Sequence, residues 1–408
     1  MSDPDWAGAT RLLLALPQLS AAHAVLATAT RAFPDDARPW IALAELAALA
    51  DDYPAARQAI QQAAQRKPAT LPACLTDDAD VALRLAQLWV SVDGPHRPSR
   101  FWLTRCLERF AWFVPPVPSG YSAQSYAAAV APTLARLAAA PRHPAEALSF
   151  WTHWLDPSDG PELRGEVLLS QAGAHRPAHW GAARLLERQR LTRDAARAED
   201  ALGLLPLFAD DGAFGALRFR LEDGDVVSRD QINSAVELNW LAARLGLTRG
   251  STPLLVDIGA GYGRLAHRFL QAFPAARALA LDAVPGTTAM AELYLTARGC
   301  AGRVETAGPS RLLAPLPPGA PRIATNINSW SEAPLASIRA WLELLAGADI
   351  DWLLLATHDA TAVTLECDGP GQPMLPAILE AGWILDDDRP RFAAEAGWGC
   401  RMWLFRRG

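Results

Sequence analysis

The sequence predicts a chain of mixed class, α + α/β: a helical N-terminal part followed by a doubly wound domain on a mostly parallel sheet. Three observations carry this expectation. As far as about Ala209, stretches such as "ALRLAQLWVSV", "FWLTRCLERFAWFV", "SYAAAVAPTLARLAAA" and "AEALSFWTHWL" place apolar residues three and four apart, the period of a helix with one buried face. Beyond that point apolar runs at 253–258, 277–282, 322–327 and 351–357 alternate with helical stretches at 264–273, 286–298, 333–346 and 372–381. Such alternation builds a parallel sheet covered by helices. The last two apolar runs, "WILDDD" and "CRMWLFRR", have only a loop between them, so they pair antiparallel.

Composition sets the bounds. Of 408 residues, 50% are hydrophobic and 20% charged, as in a globular protein with room for more than one core. No apolar run reaches the ~18 residues of a membrane span, and "MSDPDW" shows neither a basic start nor an apolar signal core. Five scattered cysteines without metal spacing fit reduced thiols, so a cytoplasmic location is expected. A net charge of −6 with no basic block argues against nucleic acid as a partner. Lys67 is the sole lysine, a coding bias that says little about function.

The opening 1–71 is helical and repetitive. Trp40, Leu43, Ala44, Ala56, Ile60, Ala63 and Pro68 fall on the characteristic positions of a tetratricopeptide repeat, and Trp6, Ala22, Ala29 and Pro34 match one unit earlier. Small alanines let paired helices approach, and proline ends the second helix. The segment therefore resembles two such repeats, Asp3–Asp36 and Ala37–Leu71, a surface suited to a protein partner. Residues 72–224 read as a helical extension or cap with breaks at "VPPVPSG" and "LDPSDGPE". His175 and His179 are four apart, but Pro177 breaks that helix and no acid follows, so no metal site is expected. The third region, 225–408, opens with Ser228 and Gln231 as a capping box for an amphipathic helix reaching about Leu245.

The chemistry concentrates in "LLVDIGAGYGRLAHRFL", Leu254–Leu270. From Gly261, "GYGRLA" satisfies the permissive dinucleotide pattern, with Asp282 at about the right distance for a ribose. From Asp257, "DIGAGYG" satisfies the S-adenosylmethionine pattern, an acid two residues before the first of Gly259, Gly261 and Gly263. The ligands differ in charge. A pyrophosphate is repelled by an acid at the strand tip, whereas an ammonium is attracted to it. Backbone N–H groups near Tyr262–Arg264 suit a carboxylate, and Asp282 with the following Ala283 suits a ribose. A third reading gives the glycines only a packing role.

Three stretches together, "DIGAGYGRLAHRFL", "ALALDAVPGTTAMAELYL" and "ATNINSWSEAPLASIRAWLELL", resemble bacterial proteins described as sugar O-methyltransferases, over about residues 228–360. The resemblance implies a Rossmann-like seven-stranded sheet with one antiparallel strand, S-adenosylmethionine as cofactor, and methylation of a sugar hydroxyl. The third strand, "RVETAG", departs from the pattern: it offers Glu305 and Thr306 but no adenine-facing aspartate.

Transfer to a hydroxyl needs the acceptor held near the methyl group and its proton removed. Candidates at the fourth and fifth strand ends are Glu332 and His358, with Glu332 a better orienter of the imidazole than the adjacent Asp359. Glu332 is alternatively a helix cap. Asn326 and Asn328 alternate along the strand, one toward cofactor or acceptor; Asn328, Trp330 and Asp359 are the acceptor-side set, and Asn326 and Arg264 join the cofactor set. The expected activity is methyl transfer to a sugar or glycan precursor. The rivals are transfer to a peptide, protein or other metabolite recruited by the repeats, and a non-catalytic interaction protein on the same scaffold.

Overall fold

The computed structural model describes residues 19–50, 52–66, 78–90, 107, 110–115, 117, 120–121, 123–140, 142–146, 181–357, 361–366, 370–392 and 400–408. Trp6, Pro68, His175, His179, His358 and Asp359 lie outside these. The chain forms two compact units that are discontinuous in sequence. One comprises Met1–Ser119, Glu162–Gln189 and Asp211–Val226; the other comprises Gly120–Pro161, Arg190–Asp210 and Val227–Gly408.

In the first unit, helices Leu19–Ala32, Arg38–Leu49, Tyr53–Ala64 and Ala79–Val90 pack in succession. Their contacts are made by small residues: Ala22, Ala42, Ala44, Ala56 and Ala63 are fully buried, which permits close helix approach. Asp52 starts the third of these helices by accepting the Ala55 N–H at 3.1 Å. Asp80 similarly accepts the N–H of Ala182, the first residue of helix Ala182–Ala198, at 2.7 Å. "AWFV", read from sequence as the end of a helix, is instead partly a strand. Phe113–Val114 pairs antiparallel with Arg218–Arg220, and Pro115 stops it. Aromatic stacking holds the pair, Trp112 lying 6.3 Å from Phe219.

The second unit is built on seven strands: β1 Leu254–Ile258, β2 Arg277–Leu281, β3 Val304–Ala307, β4 Arg322–Ile327, β5 Trp352–Ala356, β6 Trp383–Pro390 and β7 Arg401–Arg407. Their order across the sheet is β3-β2-β1-β4-β5-β7-β6, and β7 alone runs antiparallel to its neighbours. The seven-stranded mixed sheet implied by the family resemblance is therefore present. Successive strand residues face opposite sides. Val256 and Ile258 share a core cluster with Ile338 and Trp341 of α5 (Leu335–Gly347) and Ile378 of α6 (Met374–Glu380).

Ahead of the sheet lies α2 (Arg229–Leu245). Its N-terminus carries the expected capping box, Ser228 Oγ accepting the Gln231 N–H at 3.0 Å. The sequence predicts one polar face; in the fold every residue from Gln231 to Ala242 is buried. Its polar side chains are accommodated by partners: Gln231 on the Leu205 carbonyl at 2.8 Å, Asn239 on Asp200 at 2.8 Å, and Glu237 against Arg391 at 3.0 Å. A further helix, α1 (Ala123–Ala139), comes from the region read as a cap. It packs on α4 (Pro285–Ala297), with Tyr126 and Val130 buried against Ala289 and Arg136 paired to Glu292 at 2.6 Å.

Candidate functional site

The chain runs outward from β1 to β3 and returns to β4 on the other flank of β1, so the sheet reverses its winding between β1 and β4. Crevices at the carboxyl ends of such neighbouring strands bind ligands in open α/β sheets. The two strand ends are stapled together there. Asn326 Nδ2 donates to the Ile258 carbonyl at 3.1 Å and to Ser329 Oγ at 3.2 Å, while its Oδ1 accepts the Trp330 N–H at 2.9 Å.

The glycine loop between β1 and α3 (Arg264–Ala272) has Gly259, Gly261 and Gly263 at φ of 69°, 57° and 87°, a region that disfavours any Cβ. Beyond that shared conformation their roles diverge. A Cβ on Gly259 would sit 2.0 Å from Ser329 Oγ, and one on Gly263 would sit 2.8 Å from Leu295. Those two are packing glycines. Gly261 faces open space, with nothing within 4 Å of where its Cβ would be.

Two carboxylates stand at the neighbouring strand ends, one on β1 and one just past β2. Asp257, 2% exposed, accepts from Thr325 Oγ1 at 2.8 Å through Oδ1, and its buried Oδ2 has no hydrogen-bond partner. Burial pushes the Asp257 carboxyl up to about 7 against the Thr325 bond, and the charges of Glu237 and Asp282 push the same way. Asp282, just past β2, accepts the Gly261 N–H at 2.9 Å and the Val284 N–H at 2.8 Å, one on each oxygen. Burial takes Asp282 up to about 6; its Val284, Gly261 and Thr287 bonds oppose this and the Glu332 charge adds to it. Glu332 is thus within electrostatic reach of Asp282, at the end of a short helical turn Ser329–Glu332.

Behind the loop, Arg264 pairs with Asp230 of α2 and lies 4.6 Å above the Tyr262 ring. Burial raises the Asp230 carboxyl, but the Arg264, Arg268 and Arg229 charges outweigh it and hold it below the ordinary range. Tyr262 stands edge-on to Tyr294 at 5.3 Å, its buried hydroxyl without a partner; burial pushes that phenol up. Asp230, Ser234 and Glu237 were missed in the sequence reading. Their four- and three-residue spacing puts them on one face of α2, the signal that could have found them.

The structure separates the acceptor-side candidates. Asn328 adopts φ 67°, which Asn tolerates better than most residues, and its buried Oδ1 is unpartnered. Trp330 does not present an aromatic face: it is 1% exposed and belongs to the core cluster with Ile338, Trp341 and Leu345. The Asn326-anchored turn carries its backbone inward, and burial of so large a ring favours that side. The cap of α5 is not Glu332 but Glu366, whose Oε1 accepts the Leu335 N–H at 3.0 Å. Ala283 is half-buried between Asp282 and Val284. His358 and Asp359 lie outside the described residues.

An open glycine bonded to one carboxylate, with a second carboxylate at the neighbouring strand end carrying an orphaned buried oxygen, suits a ligand bearing a cation and hydroxyl donors and opposes a phosphate. No family model and no curated protein matches the chain. Among solved structures, the pyocyanin biosynthetic protein PhzM is 20% identical over 43% of this chain and 55% of its own, with a TM-score of 0.32. An O-methyltransferase family protein from Burkholderia thailandensis is 15% identical over 44% and 60%, with a TM-score of 0.31. The [4+2]-cyclase SpnF is 17% identical over 53% and 96%, with a TM-score of 0.34. The chain thus spans little more than half the length of the first two.

Proposed function

We propose that the chain is an S-adenosylmethionine-dependent methyltransferase acting on a hydroxyl of a sugar or glycan precursor. The observation that carries this reading is the unpartnered Oδ2 of buried Asp257 on β1, with Asp282, just past the neighbouring β2, bonded to the N–H of the open Gly261. A buried carboxylate oxygen without a partner is costly unless a ligand supplies a donor. The ammonium of the cofactor's amino-acid end is such a donor. Asp282 accepts three bonds from the chain, from the Gly261 and Val284 N–H groups and from Thr287, and its remaining acceptor capacity serves a ribose hydroxyl.

When bound, the cofactor supplies an electrophilic methyl group on a cationic sulfur. This chain's residues position the acceptor and handle its proton. Asn328, with its free buried carbonyl oxygen, orients the acceptor hydroxyl. Glu332 or His358 takes the proton as the new C–O bond forms and the C–S bond breaks. Arg264, engaged by Asp230, holds Tyr262 and the loop rather than meeting the ligand itself. The N-terminal helices, in this reading, recruit a protein partner or the acceptor.

Calorimetry with S-adenosylhomocysteine tests the cofactor. Wild-type protein binds it, and Asp282→Ala weakens binding by about tenfold or more through loss of hydrogen bonds to a charged group. No heat of binding to the wild type would sink the proposal. Incubation with methyl-labelled cofactor and cell fractions then tests the acceptor: label in glycan supports a sugar, and label in polypeptide replaces it with a protein substrate.

A further inference from the structure

We propose that Glu146, although remote in sequence from the α/β stretch, belongs to the ligand site and accepts the exocyclic amino group of the cofactor's purine at the end of β3. This rests on S-adenosylmethionine being the cofactor. Strands β1, β2 and β3 are neighbours in that order, each about 4.8 Å from the next. With the ammonium at Asp257 on β1 and the ribose at Asp282 beyond β2, the base, next along the molecule, falls at the carboxyl end of β3. There the backbone passes from Ala307 into Gly308.

A purine amino group needs an acceptor at that point, and the side chains of β3 itself are engaged elsewhere. Glu305 pairs with Arg311 at 2.6 Å, and Thr306 Oγ1 donates to Glu292 at 3.2 Å. Among the described residues, the carboxylate brought to Gly308 is that of Glu146: its Oε1 lies 3.3 Å from where a Cβ on Gly308 would stand. Gly308 has φ −78° and ψ 174°, a conformation open to any residue, so backbone geometry does not require glycine there. The missing side chain makes room for the carboxylate instead.

Glu146 is held in place by the residues that precede it. Ala145 is 2% exposed within the sheet's core cluster, and its carbonyl accepts from Ser337 Oγ at the start of α5 at 3.0 Å. The Glu146 N–H donates to the His143 carbonyl at 2.8 Å, closing a tight turn over Pro144–Glu146. Upstream, α1 is fastened to α4 by Tyr126, Val130 and the Arg136–Glu292 pair. Burial raises the Glu146 carboxyl, opposed by a bond from the His143 backbone and by the His143 and Arg142 charges. It is an acceptor on a fixed backbone.

The test uses the full chain and two ligands that differ only along the purine's 6-edge: S-adenosylhomocysteine, and its 6-oxo analogue S-inosylhomocysteine, in which a carbonyl replaces the amino group and N1 becomes an N–H. Calorimetry on the wild type shows a preference of about tenfold or more for the amino compound, since the 6-oxo analogue loses the amino donor and sets its oxygen acceptor against the carboxylate oxygens. In Glu146→Gln the preference falls toward unity, because the Gln amide can turn its NH2 to the carbonyl. Gly308→Ala, whose backbone conformation suits alanine, crowds Glu146 and weakens the amino ligand while the melting temperature holds. An unchanged preference in Glu146→Gln overturns the inference while leaving the cofactor assignment standing. Failure of the wild type to bind either ligand removes the cofactor assignment itself.

Discussion

The ends of β1 and β3 solve the same problem, presenting a polar group at the rim of the sheet, by opposite means. At β1 everything is local: Asp257, three left-handed glycines and the turn into α3 lie within one continuous stretch, closed by Asp282 a single crossover away. At β3 the strand's own acid and hydroxyl are tied to Arg311 and Glu292, and the carboxylate at Gly308 arrives from the segment preceding the whole α/β region. A motif can carry the first arrangement, whereas the second exists only once α1 has docked on α4.

The largest expected effect concerns the β1 end and is a matter of pH. Folding raises the Asp257 carboxyl from its ordinary value near 3.8 to about 7. Its stabilising contribution is therefore complete below about pH 4 and is lost as pH rises through about 7. Asp257→Asn removes that loss, so denaturant titrations show the variant gaining on the wild type across this window, by up to about 4 kcal/mol at pH 8. A pH-independent gap between the two would mean that folding leaves the Asp257 carboxyl at its ordinary value. Ligand binding reverses the balance: an ammonium beside Oδ2 favours the ionised form, so S-adenosylhomocysteine affinity rises through the same window.

Tyr126→Ala strikes the β3 end. Truncating a fully packed aromatic costs about 3 kcal/mol, and here it loosens the α1–α4 contact that brings Glu146 into position. The amino-over-oxo preference should fall with it although Tyr126 touches no ligand. If the preference survives while stability drops, the β3 end does not depend on that docking.

The smallest contrast lies inside the loop. Gly259→Ala incurs both a left-handed φ and a collision with Ser329, about 2–3 kcal/mol together. Gly261→Ala incurs the backbone cost alone, about 1 kcal/mol, yet its methyl group projects into the ligand's space. Thermal melts should rank Gly259→Ala as the more damaging to folding, and calorimetry should rank Gly261→Ala high among variants that still fold for lost binding. Equal effects on both measures would erase the distinction between a packing and a ligand-facing glycine.

Much of this unit is legible in the chain. Each of the four apolar runs became a strand within a residue or so of its expected ends, and the Ser228–Gln231 box opens the helix where its spacing placed it. Trp330 was misplaced because a tryptophan near a strand end satisfies both an acceptor face and a core, and only the Asn326-bonded turn decides between them. Phe113–Val114 was absorbed into a helical pattern because its strand partner, Arg218–Arg220, lies far along the chain. The polar residues of α2 looked solvated by period alone; a helix buried on all sides gives them protein partners instead.

The sequence by itself determined the alternation of strands and helices, the antiparallel last strand, the glycine loop and its two acids. Each of these is written in periodicity, turn chemistry or spacing within a few tens of residues. Tertiary structure alone decided which glycine faces open space, which carboxylate oxygen is left without a partner, and that Glu146 stands at the end of β3. Those properties depend on what packs against a residue from elsewhere in the chain, and close packing fixes such neighbours to within an ångström where no local pattern can.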